Sequence, residues 1–238
     1  FKIKFLKCPY VVEASHSPSF TLETTYLPPI DMAIITGYLR KRGYDIDQDD
    51  LNIKMHRENA VKQNSNYVDI AVFSSSERAL DYIAGKDDKY LEDNIKRLLS
   101  KTSLAKQYDI FLLSTFSYNL GISPIIFVLS IAKYLKKKYP YSYIILGGRI
   151  LRRYIHKNNF CFLRKHNCLD FVILGYGEQS LEILFEELVS SKALNKVPGL
   201  MYEEREGEVK CNPQNESVYL ETLDFDGLPM EYYRLECK

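Results

Sequence analysis

Three stretches of this chain share one pattern, and together they restrict what it can fold into. Ile110-Phe111-Leu112-Leu113-Ser114-Thr115, Ile144-Ile145-Leu146-Gly147-Gly148 and Phe171-Val172-Ile173-Leu174-Gly175-Tyr176-Gly177-Glu178 are short apolar runs. Each ends in small or hydroxylated residues and feeds a helical pattern. A continuous apolar run of this length suits a strand buried on both faces, as in a parallel sheet. Strand–helix units in series argue for a doubly wound sheet with right-handed crossovers. Such sheets bind ligands in the crevice beyond the carboxyl ends of their strands.

The rest of the chain fits around these units. Lys2 to Lys7 alternates polar and apolar residues and reads as a first strand. Cys8 to Pro29 reads as a long loop without periodicity, a type of segment that is often functional. Ile30 to Arg42 has helical spacing, closed by Gly43 as a C-cap. Tyr44 to Leu51 is a polar strand expected near a sheet edge, and Asn52 to Val61 a short helix. Residues 62–107 are polar and charged, with helical patterns at Leu80 to Ala84 and Tyr90 to Leu99; they read as a helical insertion whose default role is a solvated connector. Ser123-Pro124 opens a helix running to about Lys138. A helix from about Arg149 and another near Phe160 to Lys165 precede the third apolar strand, and Glu178 to Ser190 is amphipathic. Placing strand one beside Tyr108 to Thr115 resembles the flavodoxin-like order. The expected fold is therefore α/β, a flavodoxin-like (Rossmann-like) doubly wound parallel sheet with a helical insertion. Past Val197-Pro198-Gly199 the pattern becomes a hairpin around Glu206-Gly207, then an extended linker. The domain division that follows is 1–197 for the α/β unit and 198–238 for hairpin and linker.

Composition excludes several classes of function. A net charge of +1 over 238 residues makes no case for a nucleic-acid or membrane surface. Five scattered cysteines without a Cys-x-x-Cys pair argue against a secreted disulfide framework and for reduced thiols in a cytoplasmic setting. No apolar run reaches the length of a membrane span. The chain opens on Phe1 without Met, which reads as a trimmed chain or a piece of a longer protein.

The residues with chemical potential gather at the three strand ends. Ser114, Thr115 and Ser117 offer hydroxyls, and Gly147, Gly148, Gly175 and Gly177 let a ligand approach the backbone. Glu178 stands in the first turn of a helix, where a carboxylate stabilises the helix but opposes a phosphate; a polar ligand bearing hydroxyl or amide groups suits the site better. Gly-x-x-x-x-Gly-Lys is absent, and Ser180 occupies the third glycine position of a dinucleotide fingerprint, so nucleotide cofactors are poorly supported. His16, His56, His156 and His166 lack zinc spacing, and no Gly-x-Ser-x-Gly elbow exists. No residue is assigned a catalytic or metal-ligating role. Asp50 is open to two readings, ligand contact or helix cap.

These pieces, in this order, resemble the cobalamin-binding domain that precedes the catalytic barrel in cobalamin-dependent radical SAM proteins. The resemblance runs through Leu27-Pro28-Pro29-Ile30 with Tyr38 to Tyr44, Ser114-Thr115-Phe116-Ser117, Leu146-Gly147-Gly148, Gly175-Tyr176-Gly177-Glu178, and Leu223-Asp224-Phe225-Asp226-Gly227-Leu228-Pro229. It implies a flavodoxin-like domain with cobalamin along the strand ends. It implies cofactor contacts from Ser114, Thr115, Phe116 and Ser117, room for the nucleotide tail at Gly147 and Gly148, and a wall of Gly175, Tyr176, Gly177 and Glu178. It further implies a radical SAM barrel on the same polypeptide, carrying a 4Fe-4S cluster and S-adenosylmethionine for methyl transfer or a related radical reaction. Two departures stand out. The Asp-x-His-x-x-Gly motif that supplies a lower axial histidine is missing, leaving a ligand from the Cys8 to Pro29 loop, or none. The Cys-x-x-x-Cys-x-x-Cys cluster motif is also missing, so this chain is not expected to catalyse alone. A bulky residue at Gly148 is expected to fold and to close the tail's slot. The rival reading is a flavodoxin-like interaction, signalling or flavin-binding domain. A phosphoacceptor version is opposed by Lys7-Cys8-Pro9 and Ser114, which stand where its acidic residues belong.

Overall fold

The computed structural model describes residues 1–9, 11–13, 20–22, 28–59, 67–73, 75–102, 104, 107–115, 123–148, 151–190, 193–214 and 222–233. Strand β1 spans Lys2–Lys7, and a small antiparallel pair, β2 (Val11–Glu13) and β3 (Phe20–Leu22), follows it. Then come α1 (Ile30–Arg40), β4 (Asp45–Asp50), α2 (Leu51–Asn59), α3 (Ser76–Ile83) and α4 (Lys89–Leu99). The second half runs β5 (Ile110–Ser114), α5 (Ser123–Lys138), β6 (Tyr143–Gly147), α6 (Leu151–Tyr154), α7 (Lys157–Lys165), β7 (Phe171–Ile173) and α8 (Glu178–Val189). The hairpin β8 (Leu200–Arg205) and β9 (Glu208–Cys211) and the short α9 (Met230–Tyr233) complete it.

Among the described residues, seven strands form one sheet in the order β4-β1-β5-β6-β7-β8-β9. The first five are parallel, and β8 and β9 add antiparallel strands. With the small β2–β3 pair set aside, the parallel part has the 2-1-3-4-5 order of flavodoxin-like folds, as expected. The polar strand β4 is indeed at an edge.

Alternation along the central strands makes both faces apolar. On β5, Phe111 and Leu113 join one core, while Ile110 and Leu112 join the other. Ile144 and Leu146 oppose Ile145 on β6 in the same way. The larger core lies under α2, α4, α5 and α7; the smaller lies under α1 and α8.

Three expectations are corrected here. The Cys8 to Pro29 stretch is not wholly irregular, because it contains the β2–β3 pair. The 62–107 segment is helical but not a solvated connector: Tyr82 and Ile83 of α3, and Leu91, Ile95, Leu98 and Leu99 of α4, are buried in the larger core. Asp88 caps α4 by accepting from the Leu91 amide at 2.9 Å, and the i, i+4, i+7, i+8 spacing of the four α4 residues turns one face inward. The hairpin does not stand apart from the sheet either, since Val172 and Ile173 pair with Met201 and Leu200.

The 222–233 segment does not leave the domain but straps back over it. Its Asp224 amide donates to the Ala33 carbonyl at 3.0 Å. Arg40 pairs with Asp224 at 2.9 Å, and Gln48 Nε2 donates to the carbonyls of Asp224 and Asp226 at 2.8 Å each. Gly37 is required at the crossing: a Cβ there would overlap the Thr222 carbonyl oxygen. The strap ends with Leu228 and Tyr233 packed on Ile53. The Tyr233 hydroxyl donates to buried Asp50 Oδ2 at 2.6 Å.

Candidate functional site

The parallel strand ends are tied into one ledge. The Cys8 amide donates to the Ser114 carbonyl at 2.8 Å, and the Thr115 amide to the Gly147 carbonyl at 3.4 Å. After β7, the Leu174 amide donates to the Gly199 carbonyl at 2.9 Å, and Gly175 turns the chain with φ +93°. Helix α8 then starts at the ledge, with Ser180 Oγ donating to the Tyr176 carbonyl at 3.1 Å.

A cavity of about 250 Å³ opens on this ledge, between the sheet and the first turns of α1 and α8. Its floor is a cross-strand row, Phe5–Leu112–Ile145, in direct register. The next row outward is Ser114–Gly147–Ile173. Gly147 thus leaves a notch at the centre of a row whose neighbours carry side chains. A Cβ built on Gly147 meets nothing within 4 Å. Ile34 and Ile35 of α1 and Leu181 of α8 form the facing apolar wall.

Eight residues expected at the site, Ser114, Thr115, Gly147, Gly148, Gly175, Tyr176, Gly177 and Glu178, all line this one cavity. Phe116 and Ser117 lie outside the described residues. The roles of the two adjacent glycines differ, and this corrects the expectation about Gly148. Gly148 has φ +149°, and a Cβ on it would stand 2.6 Å from the Thr115 carbonyl oxygen. It is a backbone requirement of the ledge, and a bulky residue there would strain the fold. Gly147 is the position that faces open space.

The polar equipment is sparse and conspicuous. Thr115 is 1% exposed and Glu178 5%. Among the described residues, neither Thr115 Oγ1 nor Glu178 Oε2 has a hydrogen-bond partner. Buried polar groups are nearly always paired, and an orphan costs about 1–3 kcal/mol; both atoms are themselves sealed from solvent, so the surrounding fold carries that cost. Burial raises the Glu178 carboxyl above the ordinary carboxylate range, and the amides of Glu178 and Gly177 partly oppose this. Among the described residues, no lysine, arginine or histidine lines the cavity; Asp31, Tyr176 and Glu178 are the titratable residues they bring to it.

Other candidates resolve differently. Asp50 is a helix cap, with Oδ1 accepting from the amides of Asn52 at 2.8 Å and Ile53 at 3.1 Å. Cys8 is buried in the larger core, its thiol pushed up by burial and by Asp50. His16 lies outside the described residues, and among the described residues no cluster of three His, Cys, Asp or Glu side chains forms a metal site. No helix among them is long and apolar enough to cross a membrane. Sequence reasoning missed the floor and wall. The period-two alternation that assigns Leu112, Ile145 and Ile173 to one face was a usable signal for the floor; nothing local marks Ile34, Ile35 or Asp31.

No family model and no curated protein matches this chain. Its fold matches that of solved cobalamin-dependent radical SAM enzymes. Against OxsB with aqua-cobalamin bound, the TM-score is 0.50 at 18% identity, covering 91% of this chain and 22% of that one. Apo, selenomethionine-labelled OxsB gives 0.50 at 17% identity, covering 93% and 23%. The radical S-adenosylmethionine methyltransferase TsrM from Kitasatospora setae, solved with cobalamin and a 4Fe-4S cluster, gives 0.46 at 12%, covering 93% and 30%. The chain therefore spans less than a third of the length of each of these structures.

Proposed function

We propose that this chain is a cobalamin-binding module of a radical SAM enzyme, holding the corrinoid's nucleotide tail in the notch at Gly147. One observation carries the reading: a slot at the carboxyl ends of the parallel strands has the row Phe5–Leu112–Ile145 as its floor and opens at Gly147, where a Cβ would meet nothing within 4 Å. A volume of about 250 Å³ suits a planar heterocycle rather than a macrocycle. Gly147 gives the tail access, and the row Phe5–Leu112–Ile145 with Ile34, Ile35 and Leu181 supplies an apolar sandwich for it. Thr115 and Glu178 would border the tail, and Gly148, Gly175 and Tyr176 would hold the remainder of the corrinoid. Sequestering the tail in an apolar slot also keeps water from it. Cobalamin, when bound, supplies organometallic cobalt chemistry for methyl transfer or a related radical reaction. The 4Fe-4S cluster and S-adenosylmethionine belong, in this proposal, to a catalytic barrel on the same polypeptide, in the cytoplasm. An anionic flavin or nucleotide phosphate fits the slot less well, because among the described residues no cation lines it and Glu178 occupies the helix start.

The test is direct. The protein is incubated with hydroxocobalamin, desalted, and its visible spectrum recorded beside circular dichroism of the same sample. Retained corrin absorbance at near-stoichiometric level is expected. A folded protein that elutes colourless would end the proposal.

A further inference from the structure

On the same carboxyl-end edge as the slot, but on the other face of the sheet, lies a groove of about 800 Å³. The cores tell the faces apart. Ile155, Leu174 and Met201 of the groove belong to the larger core, whereas Ile145, Ile173 and Leu181 of the slot belong to the smaller. The two sites adjoin at Gly175, where a Cβ would stand 3.4 Å from the side chain of Gln214, a residue of the groove.

The groove differs from the slot in charge. Arg152 of α6 and His156 and Lys157 at the start of α7 line it, and all three are exposed. Among the described residues no Asp or Glu lines it, and none pairs with any of the three. Cations nearby are matched: further along α7, Arg164 pairs with Asp170 at 2.7 Å and with Glu203 at 3.5 Å. A second basic cavity, around Lys133, Lys136 and Lys137, is occupied by its own fold. Its lysines donate to the His166 and Ser142 carbonyls, to Asp170 and to Glu92. The groove's cations have no such employment. Helix α7 reinforces them, because its N-cap makes no side-chain hydrogen bond and its first turn carries no acid. The positive end of the helix dipole is thus left for an anion.

We propose that this groove binds a small phosphate ester, a ligand separate from the occupant of the slot. The proposal goes beyond the cobalamin reading and does not depend on it. Arg152 offers a guanidinium fork, Lys157 an ammonium, and α7 its first-turn amides. Those donors exceed what the two oxygens of a carboxylate use and match the three terminal oxygens of a phosphate monoester. The exposed Cys211 and Pro213, across from α7, supply apolar surface for the ester's organic part. The volume falls within the range of small-molecule sites.

The test uses isotope-labelled protein and two-dimensional amide NMR spectra. Four probes are titrated: phenyl phosphate, benzoate, inorganic phosphate and phenol. Phenyl phosphate should produce saturable shifts centred on Lys157, Asn158, Asn159, Asn212 and Gln214. Its affinity should exceed that of the other three by about tenfold or more, the worth of a charge-assisted hydrogen bond or a partly buried ring, and should fall with added salt. The double variant Arg152→Ala/Lys157→Ala changes only exposed side chains and should melt like the parent. It should lose phenyl phosphate affinity by about ten- to a hundredfold while retaining hydroxocobalamin as the parent does. A folded parent without saturable shifts, shifts scattered over other basic faces, or equal binding by the double variant would overturn the inference. Displacement of phenyl phosphate by cobalamin would merge the groove with the slot and overturn it equally. A parent that binds phenyl phosphate but no corrinoid supports the inference and ends only the cobalamin reading.

Discussion

Replacing Gly147 by leucine separates binding from folding more cleanly than any other change in this chain. The ideal Cβ on Gly147 meets nothing within 4 Å, and its backbone does not require glycine. The side chain would project into the notch between Ser114 and Ile173, above the Phe5–Leu112–Ile145 floor. Stability should hold or rise: burying a leucine contributes roughly 1.5–3 kcal/mol when it fits, and strand glycine carries an entropic penalty of about 0.5–1 kcal/mol relative to alanine. The tail would lose its space. Forcing a ligand into a filled site costs about 1–3 kcal/mol as overpacking, or about 5- to 150-fold in affinity, and outright exclusion costs more. Gly148→Leu should behave in the opposite sense. Its Cβ would stand 2.6 Å from the Thr115 carbonyl oxygen at φ +149°, so strain of about 1–3 kcal/mol should appear in the melting curve. The assay pairs thermal melts with hydroxocobalamin retention for both variants. A Gly147→Leu protein that melts like the parent and binds as tightly would refute the notch as the tail's seat.

Three further outcomes follow from the strap and the buried carboxyls. Gly37→Ala should destabilise the protein, because its Cβ overlaps the Thr222 carbonyl oxygen; if the strap were not seated there, alanine's helix propensity would instead stabilise it by about 1 kcal/mol, so the sign of the melting shift decides. Tyr233→Phe removes the hydroxyl that donates to Asp50 Oδ2. It should cost about 1–3 kcal/mol at pH 7. That deficit should shrink in acid as Asp50 protonates, and denaturant melts at pH 4 and 7 would show whether it does. Glu178→Leu should raise stability at pH 7 by about 1 kcal/mol, by removing a buried carboxyl, one oxygen of which has no partner among the described residues, at the expense of a favourable helix-start charge. Its sign follows from linkage: a raised carboxyl pKa means stability is lost as pH rises above the ordinary value of 4.5. The advantage of leucine should therefore vanish below that pH, and an advantage that persists at pH 3.5 would contradict the assignment.

The parallel order was legible because its determinants are local. Four consecutive apolar residues on β5, Ile110 to Leu113, must feed two faces, and they do. The rim was legible for a related reason: Gly148 and Gly175 carry positive φ, so chain geometry selects their identity. What escaped depends on distant partners. Leu91, Ile95, Leu98 and Leu99 announce an amphipathic helix, but not that their face joins the core shared with α5. Val11–Glu13 and Phe20–Leu22 are three-residue strands, too short to show a period. Asp50 could be read as ligand or cap until its contacts with Asn52, Ile53 and Tyr233 decided for the cap. The difference between Gly147 and Gly148 lies in which one approaches the Thr115 carbonyl, a fact of the neighbouring strand.

Helix α1 serves two masters. Asp31, Ile34 and Ile35 face the cavity, while the Ala33 carbonyl, Gly37 and Arg40 seat the strap. The helix is eleven residues long, so these duties interleave along three turns and no segment of it can be retuned for one alone. A substitution that slides α1 outward to admit a thicker ligand also carries away the surface on which Thr222 and Asp224 rest. Variation in the width of the slot is thereby tethered to the path of a peptide more than a hundred and eighty residues further along the chain. Variants of this fold that accept larger ligands should accordingly carry paired changes, one in α1 and one in the strap.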